Sequence, residues 1–340
     1  MSQTVNRIGL GRDAYKGLAT TLCAGCGHNS ITNHIVKALY ELGLEPHRLA
    51  KMSGIGCSSK ATAYFVEQAH GFNGVHGRMP ALTTGAQLAN RDLIMIGISG
   101  DGDTASIGLG QFMHMIRRNV ACTYIIEDNG TYGLTKGQFS ATADIGSLQR
   151  KGAANTFPPI DPCAVALSIG CSFVARSFSG DGKQLVPLIK AAISHQGSAI
   201  LDVISPCVTF NDHDGSTKSY SWVKEHEQEI HDVSFIPYFE EIQADYEPGT
   251  VHDVKLHDGS HVILKKLGED YDPTDRLAAM KLIEETRAAG QLLTGLLYVD
   301  NRTEDFATTE GLPRKPLRDL DESELRLTRE QFEQVMTEWA

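Results

Sequence analysis

Gly100-Asp101-Gly102 and Asn129, with twenty-six residues between them, are the groups in this sequence best spaced for chemistry. The Gly-Asp-Gly follows the apolar run Leu93-Ile94-Met95-Ile96-Gly97-Ile98, and Asn129 follows Cys122-Thr123-Tyr124-Ile125-Ile126. Two buried parallel strands would each deliver an oxygen ligand at their carboxyl ends, with a helix between them. Ligands of open α/β sheets bind at that edge. A carboxylate, an amide oxygen and a nearby carbonyl can hold Mg²⁺, whose other positions are then filled by phosphate oxygens.

Thiols form a second constellation. Cys23-Ala24-Gly25-Cys26 is a CxxC, and Cys57 and Cys207 each end an expected strand or begin a loop. A CxxC alone is compatible with zinc, a redox dithiol or neither. Four loop cysteines meeting at one sheet edge suit Zn²⁺ or a [4Fe–4S] cluster. One close pair with two distant singles fits the cluster better, since structural zinc usually takes two close pairs. The alternative leaves Cys57 and Cys207 as buried thiols. Cys122, Cys163 and Cys171 lie in or beside apolar segments and read as core.

The elements that must carry these groups alternate. Residues 28–43 are expected to be helical, with Ile31, Ile35, Ala38, Leu39 and Leu42 on one face. A strand over 48–55 should end in Ser53-Gly54-Ile55-Gly56-Cys57, with a helix from about Ser59. The Gly-rich stretch 71–78 leads to a helix near 80–90. A strand at 93–98, a crossover helix at 104–117 and a strand at 120–127 follow. The polar loop 128–160 is long enough to be functional. A helix from Asp161, a strand at 172–177, a helix at 183–195 and a strand at 199–204 complete a mostly parallel sheet with helices on both faces. Gly180-Asp181-Gly182, with Asn211 downstream, repeats the first motif. It follows the polar Arg176-Ser177-Phe178-Ser179 and so reads as a turn before a helix.

The texture changes near residue 235. A first domain over 1–235 and a C-terminal extension over 236–340 are expected, the latter suited to subunit packing. The extension should hold a hairpin over 251–264, an amphipathic helix at 275–289 and a helix near 328–338. The 340 residues carry 42 acidic against 31 basic side chains, a net charge of −11, which argues against nonspecific binding to nucleic acid or anionic membranes. No apolar run approaches the roughly 20 residues that cross a bilayer. The N-terminus lacks a signal peptide's apolar core. A cytoplasmic location and reduced or metal-bound thiols are the expectation. Of the 13 histidines, His28 and His76 sit in Gly-rich loops beside the Asp101 motif, whereas His213 and His226 carry no signal. Zincin, P-loop and nucleophile-elbow motifs are missing.

Taken together, these residues resemble the β subunit of 2-oxoacid:ferredoxin oxidoreductases, across roughly residues 15–235. The resemblance rests on Cys23-Ala-Gly-Cys26-Gly-His28, Ile55-Gly-Cys57-Ser-Ser-Lys60, His76-Gly-Arg78, Gly100-Asp-Gly-Asp103, Arg117-Arg-Asn119, Asn129-Gly-Thr-Tyr132-Gly-Leu-Thr-Lys136-Gly-Gln138 and Ser205-Pro-Cys207, in that order. It implies the diphosphate-binding type of thiamine diphosphate (ThDP) fold. Asp101, Asn129 and the carbonyl of Thr131 would be the Mg²⁺ ligands, and Cys23, Cys26, Cys57 and Cys207 would hold one [4Fe–4S] cluster. The implied cofactor surface is Gly25, Cys26, Gly27 and His28; Ile55, Gly56, Cys57 and Ser58; Gly100, Asp101, Gly102 and Asp103; and Asn129, Thr131, Tyr132, Gly133, Leu134 and Thr135. Lys60, His76, Arg78, Leu134 and Lys136 are the expected substrate contacts. The Ile-Gly-Cys-Ser-Ser-Lys and Tyr-Gly-Leu-Thr-Lys segments are similar to the 2-oxoglutarate branch. There Lys60 or Lys136 could meet a second carboxylate; otherwise each is a solvated charge.

Implied with this is CoA-dependent oxidative decarboxylation of 2-oxoglutarate, or its reversal, with electrons leaving to ferredoxin. No second cofactor-binding module is legible. An α subunit carrying the pyrimidine-binding module is therefore the expected partner, in a heterodimer or a dimer of heterodimers. Gln111-Phe112 and Ala141 depart from many relatives, which carry Asn-His and Pro there. Two other readings compete: a non-redox ThDP-dependent decarboxylase subunit without a cluster, and a noncatalytic zinc-binding assembly subunit.

Overall fold

A computed structural model of the chain describes residues 5–147, 154–210, 246–255, 261–268 and 271–339. Asn211, His213, His226 and the tip of the 251–264 hairpin lie outside them. Strands β1 (Leu49–Ser53), β2 (His70–Asn73), β3 (Ile94–Gly100), β4 (Cys122–Asp128), β7 (Phe173–Phe178), β8 (Ser198–Ile204), β9 (Val251–Lys255), β10 (His261–Lys266) and β11 (Leu292–Val299) form one sheet in the order β2-β1-β3-β4-β8-β7-β11-β10-β9. The first six are parallel, and β11 then runs antiparallel to β7. A short hairpin, β5 (Thr131–Tyr132) with β6 (Gln138–Phe139), stands apart in the 128–160 loop.

The central strands are apolar at nearly every position, as strands covered on both faces must be. Their side chains still alternate. Ile96, Ile98, Ile125, Leu201 and Val203 face a core with α1 (Gly27–Leu42) and α5 (Gly182–Ser194). Met95, Tyr124, Ile126 and Ile200 face the other, with α2 (Met79–Ala89), α3 (Leu109–Arg117), α4 (Pro162–Ser168) and α6 (Arg276–Ala288). Helices thus cover both faces. Phe112, at one of the departures from the family pattern, is core: it packs edge-on against Tyr124 with ring centroids 5.4 Å apart.

Several expectations need correcting. The helix anticipated from Ser59 is only a 3₁₀ turn, Ser58–Ala63. Part of the Gly-rich stretch, His70–Asn73, is the sheet's edge strand. The crossover helix is broken, with a π-helical turn over Gly102–Ile107 before α3. Gly108 marks the join, and π turns concentrate at functional sites. The Gly180-Asp181-Gly182 segment does follow a buried strand end, contrary to its polar look. Arg176 hides there because its guanidinium donates to Asp202 at 2.8 Å and to Asp161 at 2.6 Å. The segment is nonetheless a helix start, with Asp181 accepting from the Gln184 amide as N-cap of α5.

Strand β11 was not foreseen. It and the β9–β10 hairpin continue the main sheet past β7. Helix α6 begins at the Asp275 N-cap, and α7 (Arg329–Glu338) at Thr328 with a capping box. Among the described residues no helix is long and apolar enough to cross a membrane.

Candidate cofactor cleft

Strands β1, β3, β4 and β8 are neighbours, and their carboxyl ends deliver Ile55 to Ser58, Gly100 to Asp103, Glu127 to Asn129, and Ser205 to Cys207 to one edge. Asp101 and Asn129 therefore come from adjacent strands. Asp101 is only 1% exposed. Its Oδ2 accepts hydrogen bonds from Ser140 Oγ and, at 2.6 Å, from Thr142 Oγ1, while Oδ1 is 3.4 Å from the Asn129 amide. Thr142 Oγ1 is also 2.9 Å from Asp128 Oδ1, so one hydroxyl proton faces two carboxylates. Asn129 Oδ1 accepts from the Thr131 amide at 3.0 Å, a local turn that folds the Thr131 segment back toward Asp101. Oxygen is dense here, as a hard cation requires.

Above this lies the β5–β6 hairpin. The Tyr132 hydroxyl donates to the Gly102 carbonyl at 3.0 Å, and a Cβ at Gly102 would sit 2.5 Å from the ring. The cleft so formed is lined by His28, Ile55, Gly56, Cys57, Ser58, His76, Gly100, Asp101, Gly102, Asp103, Ile107, Glu127, Asn129, Thr131, Tyr132, Gly133, Leu134 and Thr135. Nearly all the expected cofactor surface is thus gathered in one place. Gly25, Cys26 and Gly27, at the start of α1, are not among the residues that line the cleft.

Two lining residues escaped the sequence reading, Ile107 and Glu127. Glu127 is fully buried, and among the described residues neither carboxylate oxygen has a hydrogen-bond partner. Burial pushes its pKa well above the ordinary carboxylate value. The signal for it was an acidic residue closing the apolar run two positions before Asn129. His28 Nδ1 lies 2.5 Å from Ser205 Oγ and 3.5 Å from Glu127 Oε2, and burial brings the imidazole's pKa down to about 4. Ser58 Oγ is likewise buried without a hydrogen-bond partner among the described residues. Such orphaned polar groups beside a cleft are what a polar ligand would satisfy.

The thiols cluster on the same edge. A Cβ at Gly133 would lie 3.5 Å from Cys57 Sγ and 3.7 Å from Cys207 Sγ. Thr209 Oγ1 donates to Cys23 Sγ at 3.5 Å, tying the CxxC to the Cys207 loop, and the Gly27 amide donates to the Pro206 carbonyl at 3.4 Å. Burial above all pushes Cys26, Cys57 and Cys207 above the ordinary thiol pKa, with smaller contributions from neighbouring thiols and, at Cys26, first from Glu127. Among the described residues no three His, Cys, Asp or Glu side chains meet closely enough to hold a single metal ion. The thiols influence one another across a shared space and do not converge on a point. The expected oxygen set holds one carboxylate, an amide and a main-chain carbonyl. Cys122, Cys163 and Cys171 are buried core thiols.

Residues 54–203 match the family described as thiamine pyrophosphate enzyme, C-terminal TPP binding domain. The chain is 44% identical over 191 residues to a 2-oxoacid:ferredoxin oxidoreductase subunit beta of Sulfolobus, covering 56% of this chain and 63% of that protein. It is 36% identical over 190 residues to the 2-oxoglutarate synthase subunit KorB of Methanocaldococcus jannaschii, covering 55% of this chain and 69% of that protein. The structure resembles a 2-oxoglutarate:ferredoxin oxidoreductase from Magnetococcus marinus solved with 2-oxoglutarate, coenzyme A and succinyl-CoA bound, with TM-score 0.71, 32% identity and 89% of each chain covered. The chain belongs to the β-subunit family of the 2-oxoacid:ferredoxin oxidoreductases.

The match spans 54–63% of the length of the first such relatives. Within this β subunit, the expected substrate contacts are spread around the cleft. His76 and Leu134 line it, and Leu134 is 50% exposed. Lys60 is half-buried and near enough to Cys57 to oppose the rise of its pKa. Arg78 and Lys136 are exposed outside the wall. Lys136 sits at the hairpin tip with φ of +80°, a conformation that costs a non-glycine residue about 1–2 kcal/mol.

Proposed function

We propose that this β subunit binds Mg²⁺–ThDP and one [4Fe–4S] cluster and takes part in CoA-dependent oxidative decarboxylation of a 2-oxoacid, 2-oxoglutarate by preference, passing electrons to ferredoxin. The observation that carries this reading is the meeting of Asp101, Asn129 and Cys57 in one cleft. Asp101, Asn129 and the Thr131 carbonyl would hold the metal and, through it, the diphosphate. Cys23, Cys26, Cys57 and Cys207 would hold the cluster. When bound, ThDP supplies an electron sink for loss of CO₂ and the cluster accepts single electrons.

The chain's own groups do the rest. Tyr132 closes over Gly102 and keeps water from the diphosphate side. His28, neutral at physiological pH, presents Nδ1 toward Ser205 and Glu127 and orders the floor between the two cofactors. Lys60 or Lys136 supplies the cation for a distal carboxylate. Arg78 and His76 stand at the rim to orient the substrate, and Leu134 covers it. A partner α subunit brings the pyrimidine-binding half of the site, giving a heterodimer or a pair of them. The similarity of relatives named for 2-oxoglutarate supports the substrate assignment.

Strictly anaerobic co-purification with the partner subunit tests this. The complex should contain iron and ThDP and should reduce ferredoxin with 2-oxoglutarate and CoA. A complex with ThDP but no iron would point to a non-redox decarboxylase. Stoichiometric zinc without ThDP binding would point to an assembly subunit.

A further inference from the structure

We propose that Asp103 is a positioning residue that fastens the His76-Gly77-Arg78 turn to the diphosphate loop, and is no second ligand of the cofactor's metal. The inference rests on the reading above for the role of that turn. Asp103 is 3% exposed and lines the cleft, yet both its oxygens are taken by protein donors. Oδ1 accepts from the Gly77 amide and Oδ2 from Ser99 Oγ, each at 2.8 Å. Its main-chain carbonyl accepts from Gly108 at 2.9 Å. One residue therefore ties β3, the π-helical turn and the 74–78 turn together.

The packing is built around this bond. A Cβ at Gly77, whose φ is +68°, would come within 2.8 Å of the Gly108 backbone. A Cβ at Gly54 would overlap Asp103 Oδ2 itself. Glycines at these places let three segments close on one carboxylate. The turn has an anchor at its start, where the Gly74 amide donates to the Ser53 carbonyl at 2.9 Å. Its apex is held by Asp103. Gly77 is buried between two exposed residues, His76 and Arg78. The bond thus fixes the base from which both side chains reach toward substrate, and it does so from within the Gly-Asp-Gly-Asp motif that holds the cofactor.

The test uses the assembled, cofactor-loaded complex carrying wild-type, D103A or D103N β subunit. Amide hydrogen exchange at Gly77 and over residues 74–78 should quicken about tenfold in D103A, which removes both acceptors, and return toward the wild-type rate in D103N, whose Oδ1 can still accept from Gly77 while its Nδ2 donates to Ser99 Oγ. The KM for 2-oxoglutarate should rise about tenfold in D103A, by a larger factor than kcat falls. Unchanged exchange at Gly77 in D103A, or loss of ThDP in D103N as well as in D103A, overturns the proposal. If D103A does not fold, the wild-type complex decides: a Gly77 amide exchanging at the rate of an unbonded amide rules the anchor out, and a protected one supports it. If the wild-type complex oxidises no 2-oxoacid, the functional reading fails, and the exchange rates alone still judge the anchor.

Discussion

On the proposed reading Asp101 and Asn129 hold the metal with oxygens from adjacent strand ends, so an apolar side chain at either position would remove a ligand. D101A should lower Mg²⁺–ThDP affinity by about 100-fold or more, read as ThDP retained after gel filtration. Unchanged retention would remove Asp101 from the metal site. The thiols face a similar test. C57S or C207S should lose most of the iron and the visible absorbance of the anaerobic complex. Lys60 bears on selectivity. K60A should raise KM for 2-oxoglutarate by about tenfold more than KM for pyruvate, because only the former leaves a buried second carboxylate without its cation. Equal losses would assign Lys60 to the solvated charges. These candidates could be proposed from the sequence because their chemistry lies in type and spacing. Glu127 was less so: a single acidic residue at the end of an apolar strand acquires meaning only when the strand ends beside His28 and Ser58.

At the scale of elements, the Arg176 network joins β7, β8 and the N-terminus of α4. It also fixes where the long 128–160 loop returns to the body, because Asp161 is the N-cap of α4. Arg176→Met leaves two buried carboxylates without their cation, and should cost about 3–5 kcal/mol in denaturant unfolding. Burial pushes Asp161 up, but the Arg176 guanidinium overcomes this and holds its carboxyl below the ordinary value of 3.8. A depressed carboxylate pKa contributes stability that is present above that ordinary value and is lost as pH falls through the folded-state value. The melting temperature of D161N should therefore fall less steeply than that of the wild type below about pH 4. The broken crossover helix shows why element boundaries resisted prediction. Residues 104–117 have a continuous helical pattern, but Gly108 must pass against Gly77, and the chain takes a π turn there.

At the scale of the molecule, the sheet runs on from the cofactor half into β11, β10 and β9, while the tail ends apart from the core. Every residue from 321 to 339 is exposed, including Phe332, Val335 and Met336 on one face of α7 and Trp339 at its C-cap. The tail's ion pairs, such as Lys315–Glu324 at 2.7 Å, are surface pairs screened by solvent. Truncation after residue 320 should shift the melting temperature of the isolated chain by no more than about 2 °C. A larger fall would show that the tail supports the body. The isolated chain, moreover, should show no CoA-dependent oxidation until the partner subunit is added. Full activity alone would refute the need for a second half-site.

The sequence by itself determined the alternation of strands and helices, the mostly parallel sheet with both faces covered, and the residue types proposed for the metal and the cluster. Each is written in local periodicity or in short spacings. Tertiary structure decided which strands are neighbours, and hence that Asp101, Asn129 and Cys57 share a cleft. It also decided that Arg176 could be buried, that Leu292–Val299 would extend the sheet, and that Asp103 would turn toward Gly77. Those outcomes depend on contacts between segments tens to more than a hundred residues apart. Their energies come from burial and hydrogen-bond partners that no local window contains.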